Sequence, residues 1–179
     1  GATISGGIGH NSSGGTVNAT TGDVTGTITC CYAGCFSTIG GGYRNIATGS
    51  TSTVGGGYCN TASNTWSTVS GGQNNTATAL VSTVGGGSCN AASSFYSVIS
   101  GGWSNCASGS GSSVGGGVSN TASGACSTVS GGHNNKAIGC YSVVAGGGIS
   151  GTTYENCAVG NYSVISGGTG NCVTVAGAC

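Results

Sequence analysis

The side chains able to do chemistry in this sequence are few, and their spacing is poor for catalysis. Cysteine dominates, at Cys30, Cys31, Cys35, Cys59, Cys89, Cys106, Cys126, Cys140, Cys157, Cys172 and Cys179. Beside them stand only His10, His133, Asp23, Glu155, Arg44 and Lys136. Catalysis needs an acid, a base or a nucleophile brought together by the fold. Two carboxylates and two histidines so widely separated predict no enzyme and no cofactor. No Cys-x-x-Cys pair occurs, so the spacing does not spell a zinc site. Calcium-binding solenoids repeat an Asp in every unit, and Asp23 is the only Asp here. Disulfide formation in an oxidising compartment is the chemistry these cysteines point to. Their odd number leaves at least one thiol free or bonded to another chain.

Charge excludes further classes. Charged residues make up 2% of the 179 residues, against roughly 25% in ordinary globular domains. The formal net charge is zero, so nothing draws a polyanion and no nucleic acid is expected as a partner. No apolar run approaches the roughly 20 residues of a membrane span, so no membrane insertion is expected. The chain opens on Gly1 without a leader-like segment, as expected of a mature or processed form. Forty-one glycines beside abundant Ser, Thr and Asn bury little apolar area and would by themselves suggest disorder. A strict repeat reverses that, because each unit borrows its neighbours' surfaces for burial.

The elements that must position these residues follow from that repeat. Ser37-Thr38-Ile39 recurs as Ser52-Thr53-Val54, Ser67-Thr68-Val69, Ser82-Thr83-Val84, Ser97-Val98-Ile99, Ser112-Ser113-Val114, Ser127-Thr128-Val129 and Ser142-Val143-Val144, always 15 residues apart. A further copy starts at Ser163, 21 residues on. The chain therefore divides into residues 1–36, degenerate N-terminal coils or a cap; 37–147, regular repeats; 148–155, a loop insertion; and 156–179, terminal coils. Counting from each Ser, position 3 is Val or Ile, position 9 is Asn, and position 11 is Ala in all but the last copy. Short alternating runs separated by Gly-Gly predict two strands and two turns per unit. Abundant Gly and β-branched residues without a 3.6 period exclude helix. The fold class expected is all-β: a β-solenoid, or β-roll, of 15-residue coils with two short strands each, left-handed.

Alternation assigns the faces. Positions 1, 3, 9 and 11 point inward, so the expected core ladder includes Val54, Val69, Val84, Ile99, Val114 and Val129, with Asn60, Asn75, Asn90, Asn105, Asn120 and Asn135 capping the Gly turns. Positions 15 and 2 point outward from strand one. They carry Phe36, Trp66, Tyr96, Tyr141 and Tyr162, and then Val98, Val143 and Val164. Such an apolar stripe marks an interface with sister chains. Neighbouring coils lie about 4.8 Å apart. That brings Cys126 near Cys140, and Cys157 near Cys172, within disulfide range. Cys59 and Cys89 share position 8 two coils apart, too far for a direct bond. Cys30, Cys31 and Cys35 complete the disulfide candidates.

The unit Ser-Thr-Val-x-Gly-Gly-x-x-Asn-x-Ala-Ser-Gly, shown well by Ser127 to Gly132 with Asn135 and Ala137-Ile138-Gly139, resembles the head repeats of trimeric autotransporter adhesins. These are the YadA-like or haemagglutinin-type β-roll, and similar repeats occur in viral surface fibres. The resemblance covers about residues 37–147 and 156–173. It implies a homotrimer displayed on a cell or virion surface and binding host matrix or other cells.

The functional expectation is a structural subunit of an extracellular or virion-surface fibre or filament, made of disulfide-stapled protomers and adhesive in character. Its partner is itself, as a homotrimer or end to end, because a solenoid's terminal strand edges invite pairing. A carbohydrate or host surface is a further partner. The alternatives are ice binding by the Thr columns and glycan binding by Tyr43, Tyr58 and Trp103 at turn position 7. Tyr154 and Glu155 in the insertion are candidates for a recognition loop. Sequons at Asn11, Asn18, Asn74 and Asn161 bear on glycosylation if the source is eukaryotic.

Overall fold

A computed structural model describes residues 2–7, 16–17, 24–25, 35–149 and 154–174. Among them every regular element is a two-residue β-strand, and no helix occurs. Two parallel sheets wind together as stacked coils. The first contains β1 (Thr3–Ile4), β4 (Thr38–Ile39), β6 (Thr53–Val54), β8 (Thr68–Val69), β10 (Thr83–Val84), β12 (Val98–Ile99), β14 (Ser113–Val114), β16 (Thr128–Val129), β18 (Val143–Val144) and β20 (Val164–Ile165), in that spatial order. The second runs from β5 (Ile46–Ala47) through β7 (Thr61–Ala62), β9 (Thr76–Ala77), β11 (Ala91–Ala92), β13 (Cys106–Ala107), β15 (Thr121–Ala122), β17 (Lys136–Ala137) and β19 (Cys157–Ala158) to β21 (Cys172–Val173). The register never slips: Thr83 faces Thr68 on one side and Val98 on the other. The 15-residue, two-strand β-solenoid stands as expected.

Residues 1–36 add a feature the repeat did not announce. β1 pairs directly with β4, Thr3 against Thr38. Between them in sequence lie β2 (Thr16–Val17) and β3 (Val24–Thr25), which form an antiparallel pair.

The interior is narrow. Ser, Val or Ile, Asn and Ala at positions 1, 3, 9 and 11 are buried along the regular coils, most of them with no exposure at all. Each fully buried Val or Ile contributes roughly 1.5–3 kcal/mol, so the stack rather than the single coil holds the fold.

The Asn ladder joins the coils. Asn90 Nδ2 donates to the carbonyls of Gly86 in its own coil (2.9 Å) and Gly102 in the next (2.9 Å), and also to Asn75 Oδ1 at 3.1 Å. Asn90 Oδ1 accepts the backbone N–H of Asn105 at 3.0 Å. Position 6 must be glycine for two reasons. Gly87 has φ 84°, and a Cβ there would strike the Gly102 carbonyl and Asn90 Nδ2.

The insertion enters at one point of the lattice. Position 7 of each coil normally donates its N–H forward and accepts an N–H from position 8 of the next coil, as Tyr43 does with Gly57 and Cys59. In the coil that starts at Ser142 these two tasks are divided. Gly148 donates to the Gly168 carbonyl, and the Tyr154 carbonyl accepts from Gly170 N–H. The extra residues leave and rejoin between these two anchors, so β17 still pairs with β19 in register.

Candidate functional site

Three columns on the outer surface gather the residues with chemical or recognition potential. The first is position 10 at the C-terminal end, where Lys136, Cys157 and Cys172 follow one another in register. Lys136 Nζ lies 2.6 Å from Glu155 Oε2, with both side chains partly exposed. Cys157 is buried and Cys172 is exposed. Burial pushes the Cys157 thiol up, and the neighbouring Cys172 and Glu155 push the same way against the opposing pull of Lys136. This is the one place among the described residues where an ion pair and two thiols meet, and it places Glu155 beside chemistry rather than in an isolated loop. Tyr154 is exposed next to it.

The expected disulfides are absent from this column and from the rest of the described coils. Cys126, Cys140, Cys157 and Cys172 are thiols, as are Cys59, Cys89 and Cys106. For Cys126 the reason is direction. Its Sγ sits over Gly111, in the coil before, on the side away from Cys140. Cys157 and Cys172 do lie side by side, without a bond. Cys35 is half-buried, while Cys30, Cys31 and Cys179 lie outside the described residues.

The second column is position 15. Strand one is shorter than alternation suggested, so this position lies in a turn rather than on the strand. Phe36, Trp66, Tyr96, Tyr141 and Tyr162 all have φ between 55° and 59° and are 53–68% exposed. Tyr141 and Tyr162 stack with ring centroids 5.2 Å apart. Position 2 runs alongside, where Val98 and Val164 are exposed and Val143 is half-buried.

The third column is position 7, a line of parallel bridges from Tyr43 through Tyr58, Gln73, Ser88, Trp103 and Val118 to His133. Tyr43 and Tyr58 stack at 5.4 Å, and the Arg44 guanidinium lies 5.1 Å from the Tyr43 ring centroid. Trp103 is 54% exposed. Of the sequons, Asn74 and Asn161 are exposed, and Asn11 and Asn18 lie outside the described residues.

No group of three or more His, Cys, Asp or Glu among the described residues is arranged to hold a metal ion. No protein-family model matches this chain, and no curated protein sequence matches it.

Proposed function

We propose that this chain is a structural, non-catalytic subunit of a fibre on a cell or virion surface or in the extracellular space, built from solenoids that associate with one another. The observation that carries the reading is the unbroken identity of register. The pairing that joins one coil to the next repeats without change from β4 to β20 and from β5 to β21. Pairing that serves coil to coil serves chain to chain equally well. The near absence of charge removes the repulsion that keeps strand edges apart. Lateral packing along position 15, as in the homotrimer implied by the adhesin-like repeat, would add a second direction of association.

Covalent stapling belongs to the same proposal and falls at Cys157 and Cys172. With a small-molecule disulfide as oxidant, exposed Cys172 attacks one of its sulfurs and releases one thiol. Cys157 then displaces the second. A protein S–S bond forms as the oxidant's S–S bond breaks, and the two thiol protons leave on the released thiols.

Electron microscopy of the purified chain tests the fibre. A single protomer is a rod of roughly 45 Å, from coils about 4.8 Å apart, whereas a fibre is continuous. Discrete rods at every concentration and redox state would sink the proposal. Carbohydrate binding is the second reading, favoured by the exposed rings of Tyr58 and Trp103 on one column. Loss of polysaccharide co-sedimentation in Trp103→Ala would support it.

A further inference from the structure

Two columns of this solenoid share one unusual backbone conformation, and they use it differently. Position 8 holds Arg44, Cys59, Asn74, Cys89, Ser104, Ser119 and Asn134 at φ 53–58°. Apart from Arg44 these are small or polar residues, and Asn is the type that tolerates the left-handed region best. Position 15 holds φ 54–67° through nine coils, yet carries Phe36, Trp66, Tyr96, Tyr141 and Tyr162. A residue without glycine's freedom is strained there by about 1–2 kcal/mol. Gly111 shows that glycine fits the same place. Large rings held in strain and left more than half exposed contribute no interior packing to offset that strain. Strain of this kind points to a use outside the fold.

The order along the column shows what use. From the N-terminal side it reads Phe36, Thr51, Trp66, Val81, Tyr96, Gly111, so large and small alternate coil by coil. Where two rings fall on consecutive coils, Tyr141 and Tyr162, they stand face to face at 2° and 5.2 Å. That pair stands across the solenoid axis, like rungs. Rings that stand the same way two coils apart are about 9.6 Å from each other. That leaves between them a slot wide enough for one further ring, floored by Thr51 or Val81.

We propose that this segment is a self-complementary zipper: Phe36, Trp66 and Tyr96 of one chain stand as rungs and enter the slots of a second copy displaced by one coil. The partner is a second copy because the same ladder supplies both the knobs and the slots, and because the column carries no charge. The stacked pair Tyr141 and Tyr162 leaves no slot and ends the zipper. Four rings, two from each chain, sit between walls on both sides and bury about 600–1,000 Å² in total, at or below the lower limit for a specific interface. The contact is therefore concentration-dependent for one pair of chains and firm only when repeated along a fibre. This rests on the self-association argued above, but a lateral contact and an end-to-end one fail separately.

Sedimentation of the full chain with three variants tests it. Val81→Trp fills the slot between Trp66 and Tyr96, and Thr51→Trp fills the one between Phe36 and Trp66. Each adds apolar surface, yet each is expected to weaken lateral association at least tenfold. Trp66→Gly is expected to weaken association while holding or raising Tm, because glycine relieves the strain at φ 55°. It needs no new packing, so it reads out even if a slot-filling variant fails to fold. Stronger or unchanged association in Val81→Trp overturns the zipper and leaves plain apolar adhesion. A monomer at all concentrations that co-sediments with a β-linked polysaccharide also overturns it and assigns the rings to sugar. Wild-type filaments that pair side by side, with single filaments in Val81→Trp, support it. Lateral dimers without filaments would support the zipper while removing the end-to-end fibre.

Discussion

Asn90 satisfies groups from three coils, and its loss would orphan two of them at once. Asn90→Ala strands the Gly86 carbonyl and the Asn105 N–H, both served by that one side chain, while the Gly102 carbonyl keeps the Ser88 N–H. Each buried unsatisfied group costs about 1–3 kcal/mol, so a loss of about 2–6 kcal/mol is expected in denaturant unfolding. The serine ladder makes a finer comparison. Ser82 Oγ donates to the Ala79 carbonyl at 2.7 Å, whereas Ser112 Oγ is buried with no partner among the described residues. Ser82→Ala should therefore cost about 1 kcal/mol and Ser112→Ala should be neutral or stabilising. Equal effects would contradict that assignment. Cys157 gives a pH test. Its thiol is raised in the folded chain by burial first, then by Cys172 and Glu155. The folded state thus holds that proton more tightly than the unfolded one. The contribution is complete below the unfolded thiol value of about 8.5 and is lost as pH rises through the folded value. Reduced protein should lose Tm above about pH 8.5 more steeply than Cys157→Ala.

At the scale of the element, the two-residue strand explains both what the sequence discloses and what it hides. Positions 3 and 11 recur as Val or Ile and as Ala, and an interior that narrow leaves no other choice. The Asn at position 9 is legible for the same reason, since a buried amide must be satisfied. Alternation fails one step beyond the strand. Position 15 was expected on strand one, but the chain has already turned there, and no pattern of apolar residues reports a positive φ on Trp66 or Tyr96. The direction of Cys126 was hidden likewise, because lattice distance says nothing about which coil a side chain leans towards. The hairpin-like pair β2 and β3 has no counterpart in the repeat and left no periodic trace. Length, by contrast, located the insertion to within a few residues, and hydrogen bonding places its anchors at Gly148 and Tyr154. Deleting residues 149–154 joins position 7 directly to position 8. The coil should close with stability within about 1 kcal/mol of the parent, measured by thermal unfolding.

The whole molecule behaves as a line of nearly equal neighbours. Stability in such an array is a sum of coil and interface contributions. Amide exchange protection should accordingly be highest near Val84 to Val114 and fall towards β1 and β21. A sharp step at the insertion instead would show that the coils on its two sides unfold as separate units.

The hydrogen bonds between coils run both ways. Thr53, Gly55, Tyr58 and Thr61 donate forward to the next coil, and Cys59 and Trp66 donate backward to the one before. Under tension each junction is therefore a latch of much the same strength, and the latches are in series. A chain held by its two ends should yield one turn at a time, giving a force trace of regular teeth. Each released coil of 15 residues lengthens the tether by about 45 Å, from an extended reach of about 3.3–3.6 Å per residue less the spacing it held. The coil with the insertion should release about 65 Å, an internal mark of where along the trace the rupture stands.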